Sequence, residues 1–282
     1  MTSCDEHIAL SQKAASEGMV LLENNGILPL KKNTTVALFG IGSLDYVKGG
    51  GGSGMVYCNY VRNIYEGFKM KGVEIYEPLV DFYKKYVEVE GKNIPTQKEI
   101  DAVWDIVNAN DFFTEIEALG NKNRDEVTYE TFARMHVKEA KVPDELIESA
   151  GQWADTAVVT ISRFSAEGVD RRNQGGDYLL SDLEKDLLDK ACKLFKKVIV
   201  IINSGGPVDC EYFAENEAVQ GILYSWQGGM EGGAAIADIL YGDVCPSGKL
   251  VDTITKGYNY YPCIEDFHES YEYFNYTDDI YV

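Results

Sequence analysis

The sequence predicts an α/β fold, a three-layer sandwich with a mostly parallel central sheet and helices on both faces. Three observations carry that expectation. Val36-Ala37-Leu38-Phe39, Ala157-Val158-Val159-Thr160-Ile161 and Val198-Ile199-Val200-Ile201-Ile202 are short apolar runs rich in β-branched residues, the pattern of strands buried on both faces. Amphipathic helical stretches separate the runs, so strand and helix alternate. With 282 residues, 45% of them hydrophobic, the chain can bury one large core.

In chain order, Ile8, Leu10, Ala14, Ala15, Met19, Leu21 and Leu22 lie at helical spacing and predict a helix over 7–23, ended by Gly26 and Pro29. Val36 to Gly40 reads as the first buried strand and is followed by the glycine-rich loop Gly49-Gly50-Gly51-Gly52-Ser53-Gly54. A helix over 60–71 and a strand at Val73–Tyr76 complete a βαβ unit, which requires parallel strands. Residues 82–140 are polar, with irregular aromatics and few strand runs, and read as an excursion of helices and loops outside the sheet. An amphipathic helix over 142–153 leads into the strand at 157–161. Ser181, with Glu184 three residues on, has the spacing of a capping box and opens the next helix. Strands at 198–202 and 221–226 follow, the second leading through a glycine-rich turn at 228–233 into a helix over 234–241 that Gly242 ends. The domain is placed at 1–255. Residues 256–282 form a tyrosine-rich, extended-looking tail with no terminal cap, which reads as leading towards a missing downstream domain.

Composition narrows the function. A formal charge of −20 and a pI near 4.5 repel nucleic acid and anionic lipid, so neither is expected as a partner. No apolar run approaches the roughly 20 residues that span a bilayer. The first residues carry neither a basic nor an apolar signal region. Six scattered cysteines with no CxxC pair read as reduced thiols of a cytoplasmic protein. The three histidines are far apart in sequence, which argues against a zinc site or a Ser-His-Asp triad. Gly40-Ile41-Gly42-Ser43-Leu44-Asp45 begins like a dinucleotide fingerprint, but Asp45 stands where the third glycine belongs and would repel a pyrophosphate. No cofactor and no metal are expected.

The most informative stretch is Ser162-Arg163-Phe164-Ser165-Ala166-Glu167-Gly168-Val169-Asp170-Arg171. It places a carboxylate, Glu167, just beyond the carboxyl end of a strand, where open α/β sheets bind ligands. A carboxylic acid held there suits proton transfer. Spacing alone favours a surface carboxylate paired with Arg163 or Arg171 over a catalytic one. The run 49–54 reads either as a flexible loop or as backbone that approaches a ligand closely, with the Ser53 hydroxyl offered to it. Glu231, in Trp226-Gln227-Gly228-Gly229-Met230-Glu231-Gly232-Gly233, is placed to complement a helix macrodipole.

Six segments in order resemble the α/β-sandwich domain of glycoside hydrolase family 3, the β-glucosidase family. They are Ala14–Asn24 with Leu28-Pro29-Leu30, Gly49–Gly54, Ser162–Arg171, Ile202–Val208, Trp226–Gly233 and Ala237–Leu250. The resemblance implies a retaining mechanism in which Glu167 acts as general acid and then base. The nucleophilic Asp would come from a separate (β/α)₈ barrel of the same polypeptide. It further implies that Ser53, and with it Arg163 and Asp170, contacts the sugar, and that the substrate is a β-linked glucoside or small oligosaccharide. The chain's opening resembles members in which the sandwich precedes the barrel. Ala166 departs from the pattern, standing where glycine is common. A non-catalytic carbohydrate-binding or interaction module is the alternative, and homo-oligomer formation is left open.

Overall fold

The computed structural model describes residues 4–110, 115–166 and 171–261, without the side chains of Ser53, Leu119 and Asp125. Six strands form one sheet: β1 (Val20–Asn24), β2 (Thr35–Phe39), β3 (Glu74–Ile75), β4 (Thr156–Arg163), β5 (Lys197–Ser204) and β6 (Val219–Tyr224). Their order is β1-β6-β5-β4-β2-β3. β2 to β6 are mutually parallel, and β1 alone runs antiparallel, along β6. The α/β sandwich inferred from the alternating pattern is what the chain forms.

The strand runs are apolar throughout because both faces are covered. Ala37, Phe39, Val159, Ile161, Val200 and Ile202 point to one face, where they pack with α3 (Glu77–Glu90), α6 (Asp144–Trp153) and α7 (Asp182–Leu194). Val36, Leu38, Val158, Ile199 and Ile201 point the other way, into α2 (Ile64–Met70) and α9 (Gly232–Leu240). The two-residue period of the strands thus sorts one apolar run into two cores. The Ser181–Glu184 capping box forms as expected and starts α7.

Two expectations are corrected. The predicted helix over 7–23 ends early: α1 spans Asp5–Gly18, and Val20–Asn24 is the edge strand β1. Leu21 and Leu22 continue the helical spacing by coincidence, while Gly18 closes the helix and β6 supplies open backbone groups for pairing. The excursion is also shorter than 82–140. α3 lies against the sheet through the fully buried Leu79, Val80 and Tyr83, and Val137, Ala140 and Val142 have rejoined the core. What leaves the sheet is the stretch of about 91–135, with α4 (Gln97–Asn108) and α5 (Arg124–Phe132) packed on a small core of Val107, Ile116 and Val127. The start of the tail turns back rather than running free, with Tyr258 and Tyr261 edge-on against Tyr178; residues 262–282 lie outside the described residues.

The helices α2 and α9 cross at two glycines. A Cβ on Gly67 would lie 2.1 Å from the Gly233 carbonyl oxygen, and one on Gly233 would lie 2.0 Å from that of Asn63. Both obstacles are backbone, so neither can swing aside. Gly233→Ala is expected to cost about 2–3 kcal/mol in urea unfolding. Gly91→Ala, where nothing lies within 4 Å, should stay within about 0.5 kcal/mol of the parent.

Candidate active site

The strand order places a topological switch between β2 and β4. From β2 the chain winds outwards to β3, and from β4 it winds the opposite way to β5 and β6. The loops that leave the carboxyl ends of β2 and β4 therefore diverge and open a crevice, the general ligand position in doubly wound sheets. Those loops are the glycine-rich run and the stretch around Glu167, far apart in sequence. The structure docks one on the other. The Gly51 N–H donates to the Ser165 carbonyl at 2.8 Å, and Gly51 and Ala166 form a bridge. A Cβ on Gly51 would lie 2.6 Å from the Phe132 ring and 2.9 Å from the Ala166 Cβ, and one on Gly50 would lie 2.9 Å from the Ser165 carbonyl oxygen. The glycines here serve close approach of backbone to backbone.

Asn203, at the end of β5, fastens the neighbouring loops. Its Oδ1 accepts from the Val47 N–H at 2.9 Å, and its Nδ2 donates to the carbonyls of Val47 and Trp226 at 2.9 and 2.7 Å. A side-chain amide that satisfies both backbone groups of one residue while bonding a third is a rigid staple. Its only trace in the sequence is an asparagine that breaks an otherwise apolar strand.

Glu167 and Asp170 lie outside the described residues. Ser53 sits on a single 3₁₀ turn, Gly52–Gly54, in the docked glycine loop. Arg163 takes a different place from the one expected. It is 5% exposed, and Nε donates to the Asp177 carbonyl, Nη1 to the Ser162 carbonyl and Glu184, and Nη2 to the Leu179 carbonyl and Glu184. All five N–H groups are taken by protein acceptors, so none is left for a sugar. Arg163 is an anchor of the loop, not a ligand contact. Arg171, on the far side of residues 167–170, is held by the Asp177 carboxylate and carbonyl and by Ser204. Burial lowers the pKa of its guanidinium against the pull of Asp177. Among the described residues the carboxylate partners of the two arginines are Glu184 and Asp177, and the donors of Arg163 are all spent on them and on carbonyls, which removes the ground for reading Glu167 as its partner.

A cavity of about 260 Å³ is bounded by Phe132, His136, Glu139, Ser162, Phe164 and Arg171 among others. Contrary to the sequence expectation, a Ser-His-Asp chain is present beside it. The Asp45 Oδ2 lies 3.0 Å from His136 Nδ1, and His136 Nε2 lies 2.8 Å from the Ser162 Oγ. The three residues come from three separate segments of the chain, which is why spacing could not reveal them. Burial would raise the Asp45 carboxyl, but the His136 hydrogen bond and charge and the Val137 N–H prevail and lower it. Glu139 is buried and pushed up to about 7, because desolvation outweighs the bonds it accepts from the N–H groups of Ile41 and Ala140. Glu231 stands at the N-cap of α9, as expected, and is also buried, accepting from Arg62 Nε at 2.9 Å and from the Tyr60 hydroxyl.

Sheet order, crevice and docked loops define a doubly wound α/β sandwich domain. The chain belongs to the glycosyl hydrolase family 3 C-terminal domain family, whose model matches residues 19–282. β-Glucosidase A of Butyrivibrio fibrisolvens is 38% identical over 307 aligned residues, covering 100% of this chain and 32% of that protein. A β-glucosidase of Ruminococcus albus is 33% identical over 99% of this chain and 26% of its own length. Among solved structures, β-glucosidase 3B from Thermotoga neapolitana in complex with α-D-glucose superposes with a TM-score of 0.72 at 33% identity, over 93% of this chain and 33% of that one. The chain therefore spans about a third of the proteins it resembles.

Two outcomes test these buried charges. Arg163→Ala strands Glu184 in the core and is expected to cost about 3–5 kcal/mol in denaturant unfolding. Glu139, with its folded pKa raised, contributes stability that is complete below about pH 4.5, the unfolded value, and lost as pH rises through about 7. Glu139→Gln should remove up to about 3 kcal/mol of the stability difference between pH 4.5 and 8, read from urea unfolding at the two pH values.

Proposed function

We propose that this chain is the sandwich half of a retaining β-glycosidase acting on terminal β-glucosides, and that Glu167 is its general acid and base. The single observation that carries the reading is the docking of the glycine-rich loop on the Glu167 loop at the switch point, in a chain that full-length β-glucosidases match over 99–100% of its residues. A loop held at both ends by arginine pairs and set against a ligand-facing glycine run is suited to present one carboxyl group to a bound sugar.

Retaining hydrolysis needs two carboxyl groups about 5–5.5 Å apart, one protonated and one ionised. Glu167 protonates the glycosidic oxygen as the bond to the anomeric carbon breaks. A nucleophilic Asp from a (β/α)₈ barrel of the same polypeptide attacks that carbon and forms the glycosyl-enzyme intermediate. Glu167, now ionised, takes a proton from the water that releases the sugar. Ser53 and Asp170 supply hydrogen bonds to sugar hydroxyls. Arg163 instead fixes the loop, because its donors are spent.

In the polypeptide that joins this chain to its barrel, Glu167→Gln is expected to lower kcat/KM about 10²–10⁴-fold for alkyl glucosides and cellobiose. Dinitrophenyl glucosides, whose departure needs no proton, should lose far less, and azide should restore turnover to Glu167→Ala. Equal losses on both substrates without azide rescue would remove Glu167 from the acid/base role. Robust turnover by residues 1–282 alone would place the nucleophile in this chain and refute the two-domain reading.

A further inference from the structure

The segment that follows α5 touches both loops of the crevice. We propose that residues 132–139 brace the Glu167 loop against the glycine-rich loop, with His136 as the central positioning residue for proton transfer. The inference rests on the acid/base reading of Glu167.

The brace has three points of attachment. At its start, the Phe132 ring stacks on Phe164 with centroids 6.3 Å apart and planes 14° apart. The same ring closes on Gly51 so tightly that no side chain fits there. Phe132 thus touches the two loops at the point where they meet. At its end, the Glu139 Oε2 accepts from the Ile41 N–H at 2.8 Å and fixes the turn that leaves β2. Between them stands His136. It bridges Ser162, two residues before Phe164 on the stem of one loop, and Asp45, two residues before the stapled Val47 on the stem of the other. The Val137 N–H adds a second bond to the Asp45 carboxylate at 3.1 Å.

The hydrogen-bond logic is directional. An ionised Asp45 only accepts, so His136 Nδ1 carries a proton and donates to it. In the neutral ring Nε2 then accepts from the Ser162 hydroxyl. This is the connectivity of a hydrolytic triad, yet the geometry denies Ser162 the part of nucleophile. It lies within β4, is 5% exposed, and its Oγ faces Gly42 so closely that a Cβ there would sit 2.7 Å away. A carbonyl carbon cannot approach. What remains is a fixed bridge with a His136 side chain only 13% exposed.

The chain of contacts has consequences for the reaction. Proton donation to a leaving oxygen depends steeply on placement, and an ångström of misplacement can cost about 10²-fold. Ser162 and Phe164 are the residues through which β4 aims the loop, and His136 and Phe132 are their partners from outside the sheet. The excursion at about 91–135 carries no predicted site residue. Its part in the reaction is to deliver the brace.

The test uses the polypeptide that contains both this chain and its barrel. Ser162→Ala removes only the hydroxyl that His136 holds, and His136→Ala removes the bridge. Both are expected to lower kcat/KM for cellobiose roughly 10–100-fold and for 2,4-dinitrophenyl glucoside less than about threefold, so that the rate of the glycosylation step depends more steeply on the leaving-group pKa. Equal losses on both substrates, or no loss on either, would overturn the brace. If His136→Ala fails to fold, Ser162→Ala decides. Glu167→Gln is run beside them. If it shows no leaving-group dependence, the acid/base reading falls and the brace with it. If it shows that dependence and the other two variants do not, the brace alone falls.

Discussion

β4 is hydrogen-bonded on one side to β2 and on the other to β5, and the winding of the chain reverses across it. That single placement obliges the loops after β2 and β4 to leave in opposite directions, which opens the crevice without any dedicated element. Everything built around the site closes part of that opening. The glycine run lies across it because glycine permits backbone contact with Ser165 and Ala166. Asn203 fastens the loop after β2 to the loop after β6. The segment after α5 fills the space behind both.

A crevice between strand ends must also bury charge, and the way the charges are satisfied fixes Arg163 and Arg171 on either side of residues 167–170. Arg163 and Glu184 are both buried and meet in a two-pronged pair, which is favourable only because every remaining guanidinium proton finds a carbonyl. Glu184 closes the capping box of α7 with the same oxygen that receives Arg163 Nη2. Helix start, strand end and loop stem are thus one network, and a displacement of any member breaks bonds of the others.

The sandwich is readable in the sequence because strands buried on both faces announce themselves as apolar runs, and the Ser181 cap because its spacing is local. β1 is not, since Val20-Leu21-Leu22 prolongs the spacing of α1 and only the open edge of β6 makes a strand of it. The excursion reads too wide because the amphipathic stripe of α3, Leu79-Val80-Tyr83, is short and set among charges. Within the site, the two loops are legible as motifs, but their docking is not, nor is the bridge between Asp45, His136 and Ser162. Those contacts join residues from distant segments, and each residue is ordinary in its own neighbourhood. Arg163 is legible as important but not in its true part, for a sequence cannot show that carbonyl and carboxylate acceptors converge on all its donors.

The exhaustion of that arginine bears on the chemistry assigned to Glu167. A general acid that must become a base in the next step needs a pKa near the working pH, so neither an unpaired cation nor a second bare carboxylate can be allowed to dominate it. Residues 163 and 171 bring two guanidinium groups to the ends of a short loop. Left unpaired, they would hold its carboxyl ionised and deprive the first step of a proton. Their pairing with Glu184 and Asp177 turns each into a near-neutral unit before a substrate arrives. On the acid/base reading, the ion pairs flanking residues 167–170 therefore do more than fasten the loop: they cancel the field that would otherwise commit its carboxyl group to one protonation state.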